Sequence, residues 1–207
     1  MNPHSLINRL AASFENPLPG WQAQWELASL PGRPRQPPAN HRKGGVLSLL
    51  YPHEDQLHMV FMKRTDDGKA HGGQISFPGG KQEPEDPSLR ATALREAEEE
   101  LGILPDEVTV LGELTQLYIP VSNFLVKPVV GYAAERPNFR PSPVEVQEIL
   151  EVPLKTLVNQ RPRATTVRVA QGMQFEARAF LSKNQVIWGA TAMMLNELLT
   201  MIRPFHP

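Results

Sequence analysis

The stretch from Gly79 to Ile103 (GGKQEPEDPSLRATALREAEEELGI) constrains the fold most, because it combines a helix with marked ends and the densest group of carboxylates in the chain. Asp86 is a residue type that caps the amino terminus of a helix, and Pro87 fits the first helical position. Gly102 fits the left-handed residue that follows a helix. The sequence therefore predicts a helix from Pro87 to Leu101.

The two sides of this predicted helix differ in chemistry. At about 100° per residue, three carboxylates fall within roughly a third of the circumference; they are Glu96, Glu99 and Glu100. The opposite side has Leu94, Ala97 and Leu101, which can pack against a core. Carboxylates this close repel one another unless cations lie among them, and Mg²⁺ prefers oxygen ligands. The pattern favours a metal site over a solvated acidic face, because a glycine pair lies just before the helix.

The composition excludes several classes of function. The chain has 207 residues and a net charge of −1, so we expect one domain without a basic surface for nucleic acid. It has no cysteine, which rules out disulfides, thiolate metal sites and a cysteine nucleophile. No stretch has the roughly 20 apolar residues that cross a bilayer, and the amino terminus lacks the apolar core of a signal peptide. We therefore expect a cytoplasmic protein with neither a nucleic-acid nor a membrane partner.

The first half of the chain predicts an amino-terminal addition followed by the start of a domain. Residues 3–14 have apolar side chains at helical spacing, and residues 16–42 are rich in proline and glycine, as in a surface connector. Residues 45–51 and 56–64 are rich in β-forming side chains and predict an antiparallel hairpin. We therefore expect residues 1–43 to form the addition and residues 44–207 to form the domain.

The second half predicts further strands and a closing helix. Strand character is found in residues 108–119, 125–133 and 173–181. Pro128 indicates that the second of these is an edge strand or contains a bulge. Residues 187–202 predict a long apolar helix. We expect Trp188 and the methionines of this segment in the core, and a homodimer surface is the alternative.

The acidic helix and its glycine pair resemble the signature of the Nudix hydrolases. That signature has a glycine, an acid, Arg-Glu, an aliphatic residue, Glu-Glu, and a final glycine before an aliphatic residue; its positions match Gly80, Asp86, Arg95, Glu96, Glu99, Glu100, Gly102 and Ile103. Asp86 stands where glutamate is usual, and one extra residue separates it from Arg95. The resemblance implies an α/β Nudix fold, an α/β/α sandwich with a mixed sheet and extra helices at both termini.

The segment before the helix resembles the additional motif of the coenzyme A pyrophosphatase branch of the family. The motif positions are occupied by Arg64, Thr65, Lys69, Gly73, Phe77, Pro78, Gly79 and Gly80, with lysine at 69 in place of arginine. This branch commonly has aspartate after the glycines and the extra residue before Arg-Glu. The resemblance implies a small-molecule substrate, coenzyme A or a derivative, hydrolysed to adenosine 3′,5′-bisphosphate and 4′-phosphopantetheine.

The spacing of the carboxylates alone predicts only metal-assisted hydrolysis of a phosphoanhydride. Two alternatives to the coenzyme A reaction therefore stay open. One is a Nudix hydrolase of another nucleoside diphosphate derivative, such as ADP-ribose or a dinucleoside polyphosphate. The other is a Nudix module that binds a ligand without turnover.

The resemblance also implies roles for individual residues. Mg²⁺ or Mn²⁺ would be bound by Glu96, Glu99 and Glu100, with a backbone carbonyl of Gly79 or Gly80. Glu99 and Glu145 are the rival general bases, and Arg95 would orient the acids. Glu145 follows a proline-rich loop, and the start of a solvated helix is its alternative interpretation. Substrate contacts are expected from Arg64, Lys69, Gly79 and Gly80.

Overall fold

A computed structural model describes residues 3–28, 34, 36–66, 68, 71–168, 174–182 and 184–205. In chain order, its helices and strands are α1 (Pro3–Ser13), α2 (Gly20–Trp25), β1 (Arg42–His53), β2 (Gln56–Arg64), β3 (Ile75–Ser76), β4 (Gly79–Lys81), α3 (Leu89–Leu101), β5 (Val108–Glu113), β6 (Leu117–Ile119), β7 (Phe124–Ala133), β8 (Val146–Pro153), α4 (Leu154–Asn159), β9 (Arg163–Arg168), β10 (Gln174–Ser182), β11 (Gln185–Ile187) and α5 (Gly189–Ile202). Within these residues, no helix has the length and apolar character needed to cross a membrane.

Eight of the described strands form one mixed sheet. The strand order is β3-β2-β1-β7-β5, with β4 beside β1, β6 beside β7 and β8 beside β2. The central pair, β1 and β7, is parallel, and the pairs around it are antiparallel. A second, three-stranded sheet has the order β11-β10-β9.

The predicted hairpin is confirmed, and its turn explains the register. β1 pairs antiparallel with β2, so that His53 lies opposite Gln56. Glu54 and Asp55 make the turn with φ values of 47° and 60°. A two-residue turn with positive φ at both positions matches the twist of the flanking strands. The sequence pattern placed the strands correctly, although β1 begins at Arg42 rather than at residue 45.

The central strands separate two cores, one on each face of the sheet. Leu47 and Leu49 of β1 pack in one core with Ala97 and Leu101 of α3. Leu50 faces the other core, which contains apolar residues of α1, α4 and α5. Strands buried on both faces read as continuous apolar runs, which explains the composition of β1 and β2. The predicted α/β/α sandwich with a mixed sheet and terminal helices is therefore confirmed.

The amino-terminal helix α2 is joined to α5 through a buried carboxylate. Glu197 of α5 is 0% exposed and accepts a hydrogen bond from Gln24 Nε2 at 2.7 Å. It also accepts hydrogen bonds from the backbone N–H groups of Gly20 and Thr115, each at 3.2 Å. A buried carboxylate is tolerated when such donors surround it. The predicted connector over 16–42 therefore contains a helix, α2, whose six residues are too few to show a helical period.

Pro128 lies in the centre of the sheet, so of the two predicted alternatives the edge position is wrong; the β5–β7 pairing has a register irregularity between Val110 and Gly112. β7 has β1 on one side and both β5 and β6 on the other. The Pro128 carbonyl accepts a hydrogen bond from Leu114 N–H at 2.9 Å, in the gap between β5 and β6. The missing N–H of proline faces the same side of the strand as its carbonyl, where the ladder is interrupted. The predicted strand over 108–119 is consequently two strands.

The closing helix is confirmed as α5, and its sulfur-containing side chains belong to the core. Met193, Met194 and Met201 are 0%, 3% and 7% exposed. The predicted helix begins two residues too early, because Ile187 is the last residue of β11. The strand predicted over 173–181 is β10, and Met173 lies outside the described residues.

Candidate active site

The acidic helix α3 begins later than predicted and ends where predicted. Its first residue is Leu89, and Ser88 is the cap, since its Oγ accepts a hydrogen bond from Ala91 N–H at 3.2 Å. At the other end, Gly102 has φ 71° and donates its N–H to Glu98 O at 2.8 Å. The predicted start at Pro87 with Asp86 as the cap is wrong, because another residue uses the carboxylate of Asp86.

Asp86 accepts hydrogen bonds from Arg95 instead of from the helix end. Arg95 Nε donates to Oδ1 and Nη2 donates to Oδ2, both at 3.0 Å. Thr92 Oγ1 and the N–H of Glu83 also donate to Oδ2, each at 3.0 Å. Only 6% of the Asp86 side chain is exposed, and its pKa is lowered to about 2, mainly by Arg95. Asp86 is thus an ionised anchor for the guanidinium.

Arg95 extends from this anchor to two of the helix glutamates. Its Nη2 donates to Glu96 Oε1 and its Nη1 donates to Glu99 Oε2, each at 3.0 Å. Nη2 also donates to the Lys81 carbonyl at 3.1 Å. The pKa of Arg95 is raised, mainly by Asp86. The permanent cation therefore fixes the positions of two acids relative to the strand β4.

The three predicted ligands differ in depth. The Glu99 side chain is 56% exposed, that of Glu96 is 16% exposed and that of Glu100 is 2% exposed. Burial raises the pKa of Glu96, and Arg95 opposes that effect. The acidic side of the helix is therefore not one solvated face.

Glu100 is the innermost acid, and it joins the helix to the preceding motif. Its Oε2 accepts the N–H of Gly79 at 2.7 Å, and its Oε1 accepts a hydrogen bond from Arg64 Nη1 at 3.2 Å. Burial raises its pKa to about 8, because desolvation and the carboxylates of Glu96 and Glu145 outweigh these two donors. At neutral pH the charged form of Glu100 is therefore disfavoured unless more positive charge lies nearby.

The glycine pair allows the chain to pass directly against β1 and α3. Gly79 has φ 151°, and a Cβ there would lie 2.3 Å from Gly45 O. A Cβ on Gly80 would lie 2.4 Å from Glu96 Oε2. A Cβ at Gly79 would push the turn away from β1, and a Cβ at Gly80 would displace the side chain of Glu96. The backbone of this turn consequently borders both Glu96 and Glu100.

A second loop carries Glu145 towards the same cluster. Glu145 is exposed on the turn before β8, and its carbonyl accepts the N–H of Thr65 at 3.0 Å. Its carboxylate contributes to the raised pKa values of Glu96 and Glu100, after burial. The alternative of a solvated helix start is wrong, because the chain enters a strand at Val146.

Two further residues of the loop before the glycine turn concern the candidate site. Lys69, a predicted substrate contact, lies outside the described residues. His71 was not identified from the sequence; burial and then the charge of Arg64 lower its pKa, while a contact with Gln74 opposes them. A single histidine in a loop gives no periodic signal that could have indicated this position.

The donor set of the cluster fits a hard divalent cation. Its donors are the carboxylates of Glu96, Glu99, Glu100 and Glu145 and the backbone carbonyls of the glycine turn, all of them oxygen atoms. In the described part of the chain, no three acidic or histidine side chains already lie close enough together to hold an ion. Arg95 holds Glu96 and Glu99, so these two side chains would have to turn from the guanidinium to bind one.

Comparison with known proteins identifies the family. The family model described as NUDIX domain matches residues 41–168. The uncharacterized Nudix hydrolase NudL of Photorhabdus laumondii is 33% identical over 174 residues, which cover 84% of this chain and 92% of that protein. The NudL protein of Pectobacterium atrosepticum is 36% identical over 169 residues, which cover 81% and 86%. The Nudix hydrolase RenU of M. smegmatis has a similar fold, with a TM-score of 0.55 and 15% identity over 87% of this chain and 95% of that one. The chain belongs to the Nudix family of hydrolases, whose substrates are nucleoside diphosphate derivatives.

Proposed function

We propose that this protein hydrolyses the diphosphate bond of coenzyme A and its derivatives, giving adenosine 3′,5′-bisphosphate and 4′-phosphopantetheine. One observation carries the proposal. Arg64 and Gly79, which belong to the motif that resembles the coenzyme A branch, both donate hydrogen bonds to Glu100 of the Nudix helix. The motif residues on which the proposed substrate rests therefore contact a glutamate of the helix on which the proposed metal-assisted hydrolysis rests.

Mg²⁺ or Mn²⁺ is the proposed cofactor, with Glu96, Glu99, Glu100 and a carbonyl of Gly79 or Gly80 as ligands. A bound cation neutralises phosphoryl oxygens and lowers the pKa of a coordinated water. The raised pKa values of Glu96 and Glu100 support this assignment, because burial disfavours their negative charge and a cation would restore it.

Two exposed carboxylates are the candidates for removing the proton of the attacking water. Glu99 lies on the outer side of the helix in contact with Arg95, and Glu145 lies on the turn before β8. Arg95 is proposed as a positioning residue, because it holds Glu96 and Glu99 while Asp86 holds it in turn. Its planar guanidinium fork suits this task.

Substrate contacts are proposed for the residues around the glycine turn. The Arg64 side chain is 34% exposed, so it can reach a phosphate oxygen as well as Glu100. Gly79 and Gly80 allow the diphosphate to lie close to the backbone. Lys69 is proposed as a further phosphate contact on the motif resemblance alone.

The test is a substrate panel with purified protein and Mg²⁺. Coenzyme A, ADP-ribose and a dinucleoside tetraphosphate are incubated separately, and the products are separated by chromatography. We expect both coenzyme A products to appear, with kcat/KM at least about tenfold above that for the other two substrates. Folded protein that leaves coenzyme A intact would refute the proposal, and faster hydrolysis of ADP-ribose would reassign the substrate within the family.

A further inference from the structure

A second group of cations lies away from the acidic cluster. A cavity of about 470 Å³ is bordered by the ends of α2, α4 and α5 and by β10, and its lining includes Arg161, Arg178 and Arg203 with one acid, Glu26. An adjoining cavity of about 470 Å³ shares Arg161 and adds Arg163. We refer to these four arginines and the space they line as the arginine groove.

The arginines of the groove differ in their partners from four arginines elsewhere in the chain. Four other arginines form ion pairs, which are Arg64–Glu100, Arg90–Glu113, Arg95–Asp86 and Arg136–Glu151. The guanidinium groups of the four groove arginines make no hydrogen bond or ion pair with another described residue. Glu26, the only acid in the lining of the first cavity, accepts a hydrogen bond from Asn196 Nδ2 at 3.1 Å instead. The groove therefore has excess positive charge.

Arg203 is half-buried at the end of α5, and burial is the main cause of its lowered pKa. The charge of Arg161 also lowers this pKa, although by less than Glu26 raises it. Guanidinium groups held near one another repel, and a bound anion removes that cost. The charge pattern is thus complementary to an anionic ligand.

The frame of the groove is fixed by hydrogen bonds. Gln160 lines both cavities, and its amide pairs with the backbone of Leu181, donating Nε2 to the carbonyl at 2.8 Å and accepting the N–H at 2.9 Å. Asn196 is 2% exposed and donates to Ala23 O at 2.7 Å. These bonds connect β10 to the end of α4 and α2 to α5, and none of them involves a groove arginine.

The groove lies at one end of α5, and the segment that leads to the glycine turn contacts the other end. Thr191, near the start of this helix, donates to Ile75 O in β3, shortly before the glycine turn. Arg203 follows the last residue of the helix. A helix of 14 residues is about 20 Å long, so the groove is a separate site.

We propose that the arginine groove binds a small phosphomonoester. Several guanidinium groups around one cavity match the multiple oxygens and double charge of a terminal phosphate. Leu27 and Val158 give the same cavity an apolar side for the organic part, and its volume falls within the range of small-ligand sites. The net charge of −1 does not favour nucleic acid as the occupant. The inference does not depend on coenzyme A being the substrate.

The experiment measures binding of ribose 5-phosphate to the full chain by calorimetry in metal-free buffer, with ribose as the ligand that lacks phosphate. The wild type is compared with the double variant Arg161→Gln/Arg178→Gln, both positions being exposed. Arg140→Gln is the matched control, because Arg140 is exposed and lies near Gly102, away from the groove. We expect the double variant to bind at least about tenfold more weakly, the control to bind like the wild type, and ribose not to bind.

Amide resonances locate the ligand. Shifts in residues 159–163 are expected on adding ribose 5-phosphate. If the double variant does not fold, the single variant Arg178→Gln is used, with an expected loss of at least about threefold. Any of three results would overturn the proposal: no binding to the wild type, equal binding by variant and wild type, or shifts confined to the glycine turn.

Discussion

Replacing Asp86 with asparagine removes the charge that anchors Arg95 while keeping the shape of the side chain. Asp86 ionises with a pKa lowered from 3.8 to about 2, and its hydrogen bonds with Arg95 are the main cause. A lowered pKa means that the ionised group stabilises the folded chain above pH 3.8, and that this stabilisation is lost as the pH falls through about 2. The difference corresponds to roughly 2 kcal/mol of unfolding free energy at pH 7 and roughly 1 kcal/mol at pH 3.

Urea unfolding of the wild type and Asp86→Asn at both pH values, without added metal, tests this reasoning. The wild type should be more stable at pH 7, and its advantage should shrink by about 1 kcal/mol at pH 3. Glu85→Gln is the matched control, because Glu85 is adjacent and exposed and makes no ion pair with the described residues. An advantage that is the same at pH 7 and pH 3 would refute the assignment of Asp86 as the ionised partner of Arg95.

Three further predictions concern the cluster and the core. Glu99→Gln should lower kcat at least about 10²-fold, whereas the exposed neighbour Glu98→Gln should retain activity; equal losses in steady-state kinetics would contradict the role of Glu99. Gly80→Ala would place a Cβ 2.4 Å from Glu96 Oε2, so we expect the Mg²⁺ concentration for half-maximal activity to rise at least about tenfold. An unchanged Mg²⁺ titration would show that Glu96 is not displaced from a ligand position. Glu197→Ala leaves three donors without their acceptor and should lower the unfolding free energy by about 3 kcal/mol; a loss under about 1 kcal/mol would mean that water replaces the carboxylate.

The sequence predicted those elements whose signals are local. The hairpin of β1 and β2 follows from two apolar runs around a short polar turn, and the end of α3 follows from Gly102, which adopts φ 71°. The start of α3 was predicted wrongly because two capping residue types, Asp86 and Ser88, lie two positions apart. Arg95, nine residues after Asp86, binds the Asp86 carboxylate and leaves Ser88 as the cap. The local sequence pattern does not indicate this contact.

The position of Pro128 could not be inferred for a related reason. A proline in a strand has no N–H to donate, so no carbonyl of a neighbouring strand can depend on it. An edge position is the commonest way to meet that condition. In this sheet the neighbouring strand is interrupted instead, where Leu114 donates to the Pro128 carbonyl between β5 and β6. The sequence therefore correctly predicts that no neighbouring strand needs an N–H from Pro128. It does not show which arrangement meets this condition, because that depends on where residues 108–119 divide into β5 and β6.

The glycine turn determines how the three helix acids differ. Helical spacing places Glu96, Glu99 and Glu100 on one side of α3, but spacing contains no information about depth. Gly79 donates its N–H to Glu100, and Gly80 has no side chain to hold the turn away from Glu96. The turn can therefore cover these two carboxylates, which are 2% and 16% exposed, and it leaves Glu99 at 56%. Two residues without functional groups thus separate the acids whose charge burial disfavours from the one that is exposed to solvent. On this reasoning, a side chain at Gly80 would alter the chemistry of the cluster before it altered the fold, because its Cβ would meet the side chain of Glu96, whereas a Cβ at Gly79 would meet the backbone of β1.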